Sequence, residues 1–344
     1  MEPRRRLLAA PDKFRGTITA HEVAAALARG AAKAGWTARE VPLADGGEGT
    51  LEVLGGPNRA SVVTGPLGEP VEAGWRLDAG VAVVETARAA GLAVAGGATQ
   101  NDPVAATTRG AGELIAAAID AGAGRVVVAV GGSATTDGGL GAVDALQTHL
   151  PFPVPVIVAC DVTTGFLDAA PVFAPQKGAG TQEVRILAER LSKLAERYAA
   201  EWGVDVTALP GAGAGGGLAG GLAALGAKLV PGFDLIAETL DLDAAIAESD
   251  LVVTGEGQLD ATSFAGKVVG GVLGRSESLG VEAAVIAGAV APELPRPVRA
   301  WSLAARFGSA RALAAPERCI IELVAAELAA IDPDVQTGGA RSGG

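Results

Sequence analysis

Val126-Val127-Val128-Ala129-Val130 runs straight into Gly131-Gly132-Ser133-Ala134-Thr135-Thr136-Asp137-Gly138-Gly139, and Leu140 follows. An unbroken apolar, mostly β-branched run reads as a strand buried on both faces, the habit of parallel sheets held between helix layers. The glycines let backbone N–H groups approach an anion, and Ser133, Thr135 and Thr136 add hydroxyl donors. A helix starting near Leu140 would aim the positive end of its dipole at the same point. A plain turn accounts for a glycine or an aspartate, but not for this density of glycines and hydroxyls. The stretch therefore predicts a strand, an anion-binding loop and a helix.

The same punctuation recurs outward from it. Residues 7–10 empty into Pro11-Asp12-Lys13-Phe14-Arg15-Gly16, and 39–43 into Asp45-Gly46-Gly47-Glu48-Gly49-Thr50. Residues 156–159 empty into Cys160-Asp161, and 251–254 into Gly255-Glu256-Gly257-Gln258-Leu259-Asp260. Further strands are expected at 81–84 and 284–286. Thr19 and Glu22 form a capping box ahead of an apolar-periodic run to residue 34. Helices are also expected over 113–121, 184–202, 240–248 and 317–331, the last with Pro316 as its first residue. Strands alternating with helices indicate an α/β protein with a mainly parallel sheet. Ligands of open parallel sheets bind outside the carboxyl ends of the strands, so these motifs are expected along one rim.

A chain of 344 residues has room for about two domains. Breaks at 55–57, 151–155 and 211–221 suggest residues 1–60 plus 235–335 as a discontinuous Rossmann-like domain. Residues 61–234 would be an inserted second α/β domain, and 336–344 a disordered tail.

Composition removes several function classes. A net charge of −12 disfavours a nucleic-acid partner while leaving room for a small basic pocket. The two cysteines have no paired spacing, so neither a disulfide framework nor a zinc site is expected. The apolar run after Arg6 stops at Pro11, too short for a signal peptide, and no stretch reaches the roughly 18 apolar residues of a membrane span. A cytoplasmic protein acting on a small molecule is expected; the oligomeric state is left open. The sequence has no G-x-x-x-x-G-K-[ST] motif and no G-x-G-x-x-G fingerprint. His21 and His149 offer no nucleophile–base arrangement.

The six lysines are few against 21 arginines, and Lys13, Lys177 and Lys267 lie in glycine- or proline-flanked loops. Loop lysines near helix starts suit phosphate oxygens as compact charges. Asp12, Asp45, Glu48, Asp137, Asp161, Glu256 and Asp260 fall on the expected rim. There they either cap helices and turns or serve ATP chemistry, by holding Mg²⁺ and accepting a hydroxyl proton. Arg15 and Arg109 each have the fork that grips a carboxylate, or else form surface ion pairs.

Taken together, these motifs resemble the type I glycerate kinases. The likeness runs from about residue 7 to about residue 331. It is carried by 11–16 with 19–23, 44–50, 63–68, 102–115, 130–146, 159–162, 173–179, 210–222, 254–260 and 265–267. The chain departs from the family pattern at Arg15, where lysine is commoner, at Gln258, where arginine is common, and in the short bridge between Leu146 and Val156. The resemblance implies two α/β domains with the active site in the interdomain cleft, and phosphorylation of D-glycerate by ATP with Mg²⁺, usually to 2-phosphoglycerate. Transferred to this chain, Gly131, Gly132, Ser133, Thr135, Gly138 and Glu256 would hold the nucleotide, aided by Lys13 or Lys267. Asp137, Asp161 or Asp260 would hold Mg²⁺. Asp45 would take the proton, and Arg15, Arg109 and Glu48 would bind glycerate. A non-catalytic binding homologue and a kinase of a related small hydroxy acid are the alternatives.

Overall fold

A computed structural model describes residues 5–331 apart from Arg15 and Ala265. The tail expected at 336–344 and the substrate role given to Arg15 lie outside the described residues. The strands are β1 (Arg6–Ala9), β2 (Thr37–Glu40), β3 (Arg59–Thr64), β4 (Pro70–Asp78), β5 (Val81–Glu85), β6 (Arg125–Ala129), β7 (Val156–Ala159), β8 (Lys228–Val230), β9 (Leu251–Leu259), β10 (Ala283–Val290) and β11 (Ala300–Ser302). They form two sheets. The chain divides into two compact units, one built from residues up to Ala44 and from Ile236 onward, the other from Asp45–Leu235. Residues 45–60, which the sequence reading gave to the end-built domain, fall in the inserted unit.

The end-built unit has an all-parallel sheet in the order β11-β10-β9-β1-β2. Counted within the unit this is the doubly wound order 2-1-3-4-5, whose topological switch point lies between the first and third strands, here β1 and β9. Both faces are covered. Ala284 and Ile286 of β10 face one cluster with Leu7, Val253 and Ile320, while Val285 and Ala287 face another with Val269 and Leu273. That two-sided burial is why the strands carry no polar alternation. The capping box forms as read: Glu22 N donates to Thr19 Oγ1, and Thr19 N to Glu22 Oε2. The helix Ala20–Lys33 packs against Pro316–Ile331 so closely that a Cβ on Gly30 would come 2.9 Å from Val324 Cβ.

The inserted unit holds a six-stranded sheet in sequential order, β3 to β8. The strands β5 to β8 are parallel, and β3-β4-β5 are antiparallel. Parallel strands added in one direction by right-handed crossovers put their helices on one face. Val126, Val128, Val156 and Val158 accordingly bury against Leu114, Leu187, Leu191 and Leu222. The other face carries a smaller cluster of Leu51, Val83 and Val127.

Three expectations need correction. Strand β2 ends at Glu40 instead of running 39–43, although Val41 N and Leu43 N still donate to Ala9 O and Pro11 O along β1. Strand β9 continues to Leu259, so 255–259 is strand, not a loop after it. Its glycines serve close approach: a Cβ on Gly255 would sit 2.4 Å from Ile286 O on β10. The helix expected at 240–248 spans only Leu242–Ala247, set off by Asp241, whose φ is 51°, from a separate helix Gly232–Thr239.

Candidate active site

Strands β5 to β8 end level, with Glu85 beside Ala129, Ala129 beside Ala159 and Ala159 beside Val230. Everything the sequence offers after these residues is therefore delivered to one edge of the sheet. The 131–139 loop leaves β6 there. It pairs briefly with 90–92, Leu92 N donating to Gly132 O and Ala134 N to Ala90 O. Gly132, Gly138 and Gly139 have φ of 71°, 68° and 80°, conformations that would strain any residue with a Cβ.

The loop is fastened from within. Asp137 is 5% exposed. Its carboxylate accepts from Thr108 N (2.8 Å), Thr108 Oγ1 (2.9 Å), Gly139 N (3.0 Å) and Gly141 N (3.2 Å). Three of the four donors converge on Oδ2 and one reaches Oδ1. Two of them are amides at the start of the helix Leu140–Ala145. Part of the dipole expected to face a phosphate is thus spent on Asp137, which fastens the loop, while its Oδ1 takes one of these four bonds, from Gly139 N. Tyr198 Oη donates to Gly138 O at 3.0 Å. Ser133 Oγ accepts from Thr135 N (3.1 Å) and lies 3.0 Å from Thr135 Oγ1. Arg109 opens the next helix, Arg109–Asp120. Its Nε donates to Glu113 Oε1 at 2.9 Å, and its side chain stays half-exposed.

The turn from Asp45 to Gly49 lies against this loop. A Cβ on Gly131 would come 2.5 Å from Gly47 Cα and 3.1 Å from Glu48 N, so the two backbones touch and only glycine fits. Asp45 Oδ1 accepts from Gly47 N at 3.1 Å, and Glu48 is exposed. Beneath the turn is Glu85, 1% exposed, accepting from Gly49 N and Leu51 N at 3.1 Å each. Burial raises its carboxyl above the usual range and these two amides partly reverse that. The sequence reading stopped strand β5 at residue 84 and missed Glu85. Its signal, an acid directly after an apolar run, is the one that found Asp161. Asn101 and Tyr198 carried no comparable signal, because the residues they hold are far away in the chain.

Asp161 follows β7. Its Oδ1 accepts from Gly232 N (2.6 Å) and Phe233 N (3.2 Å). Burial first, and the charges of Asp45 and Asp234 next, push its carboxyl up to about 7 against the pull of those amides.

The end-built unit gathers the remaining candidates beside its switch point. Asp12 N donates to Gly255 O (2.8 Å) and bridges the end of β1 to β9. Lys13 N donates to Asp12 Oδ1 at 2.7 Å, and Lys13 Nζ lies 3.9 Å from the same oxygen. Glu256 faces Lys267, Asp12 and Asp260 electrostatically. Burial raises its carboxyl, and its Oε1 is buried with no hydrogen-bond partner among the described residues. Asp260 accepts from Thr262 N (2.8 Å) and Thr262 Oγ1 (2.7 Å), bonds that hold its carboxyl below the usual range. Lys267 caps the helix Val268–Leu279 and donates from Nζ to Thr262 Oγ1 at 3.2 Å. Thus Lys13, Glu256, Asp260 and Lys267 are brought together in one unit. In the other unit Asp45 and Asp161 are neighbours, and the 131–139 loop lies against the Asp45 turn. No three His, Cys, Asp or Glu side chains form a ready metal cage among the described residues. No described helix is long and apolar enough to cross a membrane.

Known proteins are similar to this chain over most of its length. The profile of the glycerate kinase family matches residues 7–151 and 150–331, two stretches that meet at the short bridge after Leu146. The glycerate kinase of Bacillus subtilis (strain 168) is 38% identical over 326 residues, covering 83% of this chain and 85% of that protein. The glycerate 2-kinase of Escherichia coli (strain K12) is 38% identical over 308 residues, covering 78% and 81%. A crystal structure from Salmonella typhimurium LT2, provisionally assigned as a glycerate kinase 2, superposes with a TM-score of 0.80 at 31% identity, covering 97% of this chain and all of that one. With relatives named as kinases over most of its length, and a matching fold, the chain belongs to the glycerate kinase family.

Proposed function

We propose that this chain transfers the terminal phosphoryl group of ATP to D-glycerate, giving 2-phosphoglycerate, and that it does so in the cytoplasm with Mg²⁺. The observation that carries the reading is the contact between the glycine- and hydroxyl-rich 131–139 loop and the Asp45–Gly49 turn at the carboxyl edge of one sheet. It sits in a chain related over most of its length to named glycerate kinases.

On this reading the backbone at Gly131 and Gly132 and the Ser133 and Thr135 hydroxyls receive phosphate oxygens, and Gly138, whose N–H donates to Gly216 O, shapes the loop. Lys13 and Lys267 supply compact positive charge. Arg109 forks onto the glycerate carboxylate, with Glu48 near the substrate hydroxyls. Asp45, with one bond to Gly47 N, takes the proton of the attacking hydroxyl. Mg²⁺ usually keeps several waters and rides on phosphates with one or two carboxylates, so a missing three-carboxylate cage does not count against it. Glu256 fits that need through its buried Oε1, which has no partner among the described residues, and Asp137, Asp161 and Asp260 are further candidates. Bound Mg²⁺ would neutralise charge building on the transferred group. Positioning and charge neutralisation supply most of the rate in phosphoryl transfer.

The test is ADP release with ATP and Mg²⁺ over a panel of D-glycerate, tartronate, lactate and tetronates. The highest kcat/KM is expected for D-glycerate. A higher value for another acid reassigns the substrate, and no ADP release with any of them would leave a binding homologue.

A further inference from the structure

One buried charge in the inserted unit has no part in the scheme above. Lys177 ends the short turn Pro175–Lys177 and is 4% exposed. Its ammonium turns inward under the 131–139 loop, donating to Thr135 O at 2.5 Å and to Ser133 Oγ at 3.4 Å. Asn101 ties the same parts together, its Nδ2 donating to Ala134 O (3.0 Å) and to Lys177 O (2.8 Å). Three consecutive loop residues, 133 to 135, are therefore gripped from one side by a cation and an amide.

We propose that Lys177 is a positioning residue for phosphoryl binding: its ammonium fixes residues 133–135 in the anion-receiving conformation and places a positive charge beneath them, without touching the nucleotide. The inference rests on the reading that the 131–139 loop receives ATP phosphates. A carbonyl partner alone does not need a lysine, since a neutral donor satisfies Thr135 O without the cost of burying a charge. That cost is felt here, because burial pushes the Lys177 ammonium down to about 8, with only the Asp137 charge opposing it. A bound polyanion is the partner that makes a buried cation favourable, and a fixed charge in a water-poor site acts on it more strongly than a surface one.

The experiment compares full-length wild type with Lys177→Met, Lys177→Gln and Gly132→Ala. It measures ATP affinity by calorimetry, KM for ATP and for D-glycerate, kcat and melting temperature. Lys177→Met removes charge and donor, while Lys177→Gln keeps a donor and removes the charge. Both are expected to weaken ATP binding and raise its KM about tenfold or more, with KM for D-glycerate within about twofold of wild type. A purely structural lysine would instead lower the melting temperature and the active fraction at unchanged KM for ATP, and that result overturns the proposal. Wild-type ATP affinity in Lys177→Gln overturns it as well, and this variant carries the test should Lys177→Met not fold. Wild-type ATP affinity in Gly132→Ala overturns the loop reading instead, so the two failures are read from different proteins.

Discussion

The carboxyl edges of the two sheets use their buried carboxylates differently. At the edge of the inserted unit, Asp137, Glu85 and Asp161 spend their oxygens on backbone amides, and the glycines around them fit because two backbones nearly touch. At the switch point of the end-built unit, Glu256 keeps a buried oxygen without a partner among the described residues, and Lys13 and Lys267 hold their ammonium groups on partly exposed loops. The first edge is a braced surface, shaped before anything arrives. The second gathers charges of both signs. A buried polar group that is fully bonded rigidifies, whereas one left unbonded costs free energy until something binds it. Preorganisation and chemistry are thus separable here, and mutations should tell them apart.

The largest effect is expected from Gly131→Ala. Its new Cβ would meet the backbone of Gly47 at 2.5 Å, so the Asp45 turn must move. Misplacement of about 1 Å can cost a hundredfold in rate, and overpacking costs about 1–3 kcal/mol. Steady-state kinetics and a melting curve on one sample should show kcat/KM and stability falling together. Lys13→Ala should come next and loosen the pairing of those two readouts. Removing one charge-stabilising group costs about a hundredfold or more in kcat, while stability should fall by about 1 kcal/mol, the scale of a partly exposed ion pair. If Lys13→Ala turned over like wild type, the end-built edge would lose its role.

A smaller effect concerns pH. The Asp161 carboxyl is raised from 3.8 to about 7 in the folded protein. Between those values the folded state holds a proton that the unfolded state has lost, so stability falls as pH rises from about 4 to about 7. The slope is at most about 1.4 kcal/mol per pH unit. Asp161→Asn keeps an oxygen for Gly232 N and removes the titration, so denaturant midpoints across that window should flatten. An unchanged slope would assign the pH dependence to other groups. The smallest effect is Tyr198→Phe, which deletes one buried hydrogen bond to Gly138 O. A loss of about 1 kcal/mol is expected, visible in urea unfolding with little change in kcat/KM.

How much of this could be read from the chain depends on how local the cause is. Strands β5, β6 and β7 were legible because burial on both faces writes itself into every side chain. The helix at Thr19 was legible because its cap is complete within four residues. The hairpin β3–β4 was not, since its exposed, alternating residues and its Gly74 look like loop. The second half of β9 read as a glycine loop because close approach to β10 selects glycine just as a turn does. The location of the site residues after apolar runs was legible, but their bonding was not. Nothing local distinguishes Asp137, bonded to Thr108 and two glycine amides, from Glu256, whose Oε1 has no partner among the described residues. Lys177 reads either as a phosphate-binding or as a solvated loop lysine, and only folding reveals that it lies beneath Thr135.

The account rests most directly on what the protein makes. Incubated with ATP, Mg²⁺ and D-glycerate and followed by phosphorus NMR, it should yield 2-phosphoglycerate in step with ADP. Unconsumed ATP, free phosphate without a phosphoglycerate, or the 3-phosphate isomer would contradict it.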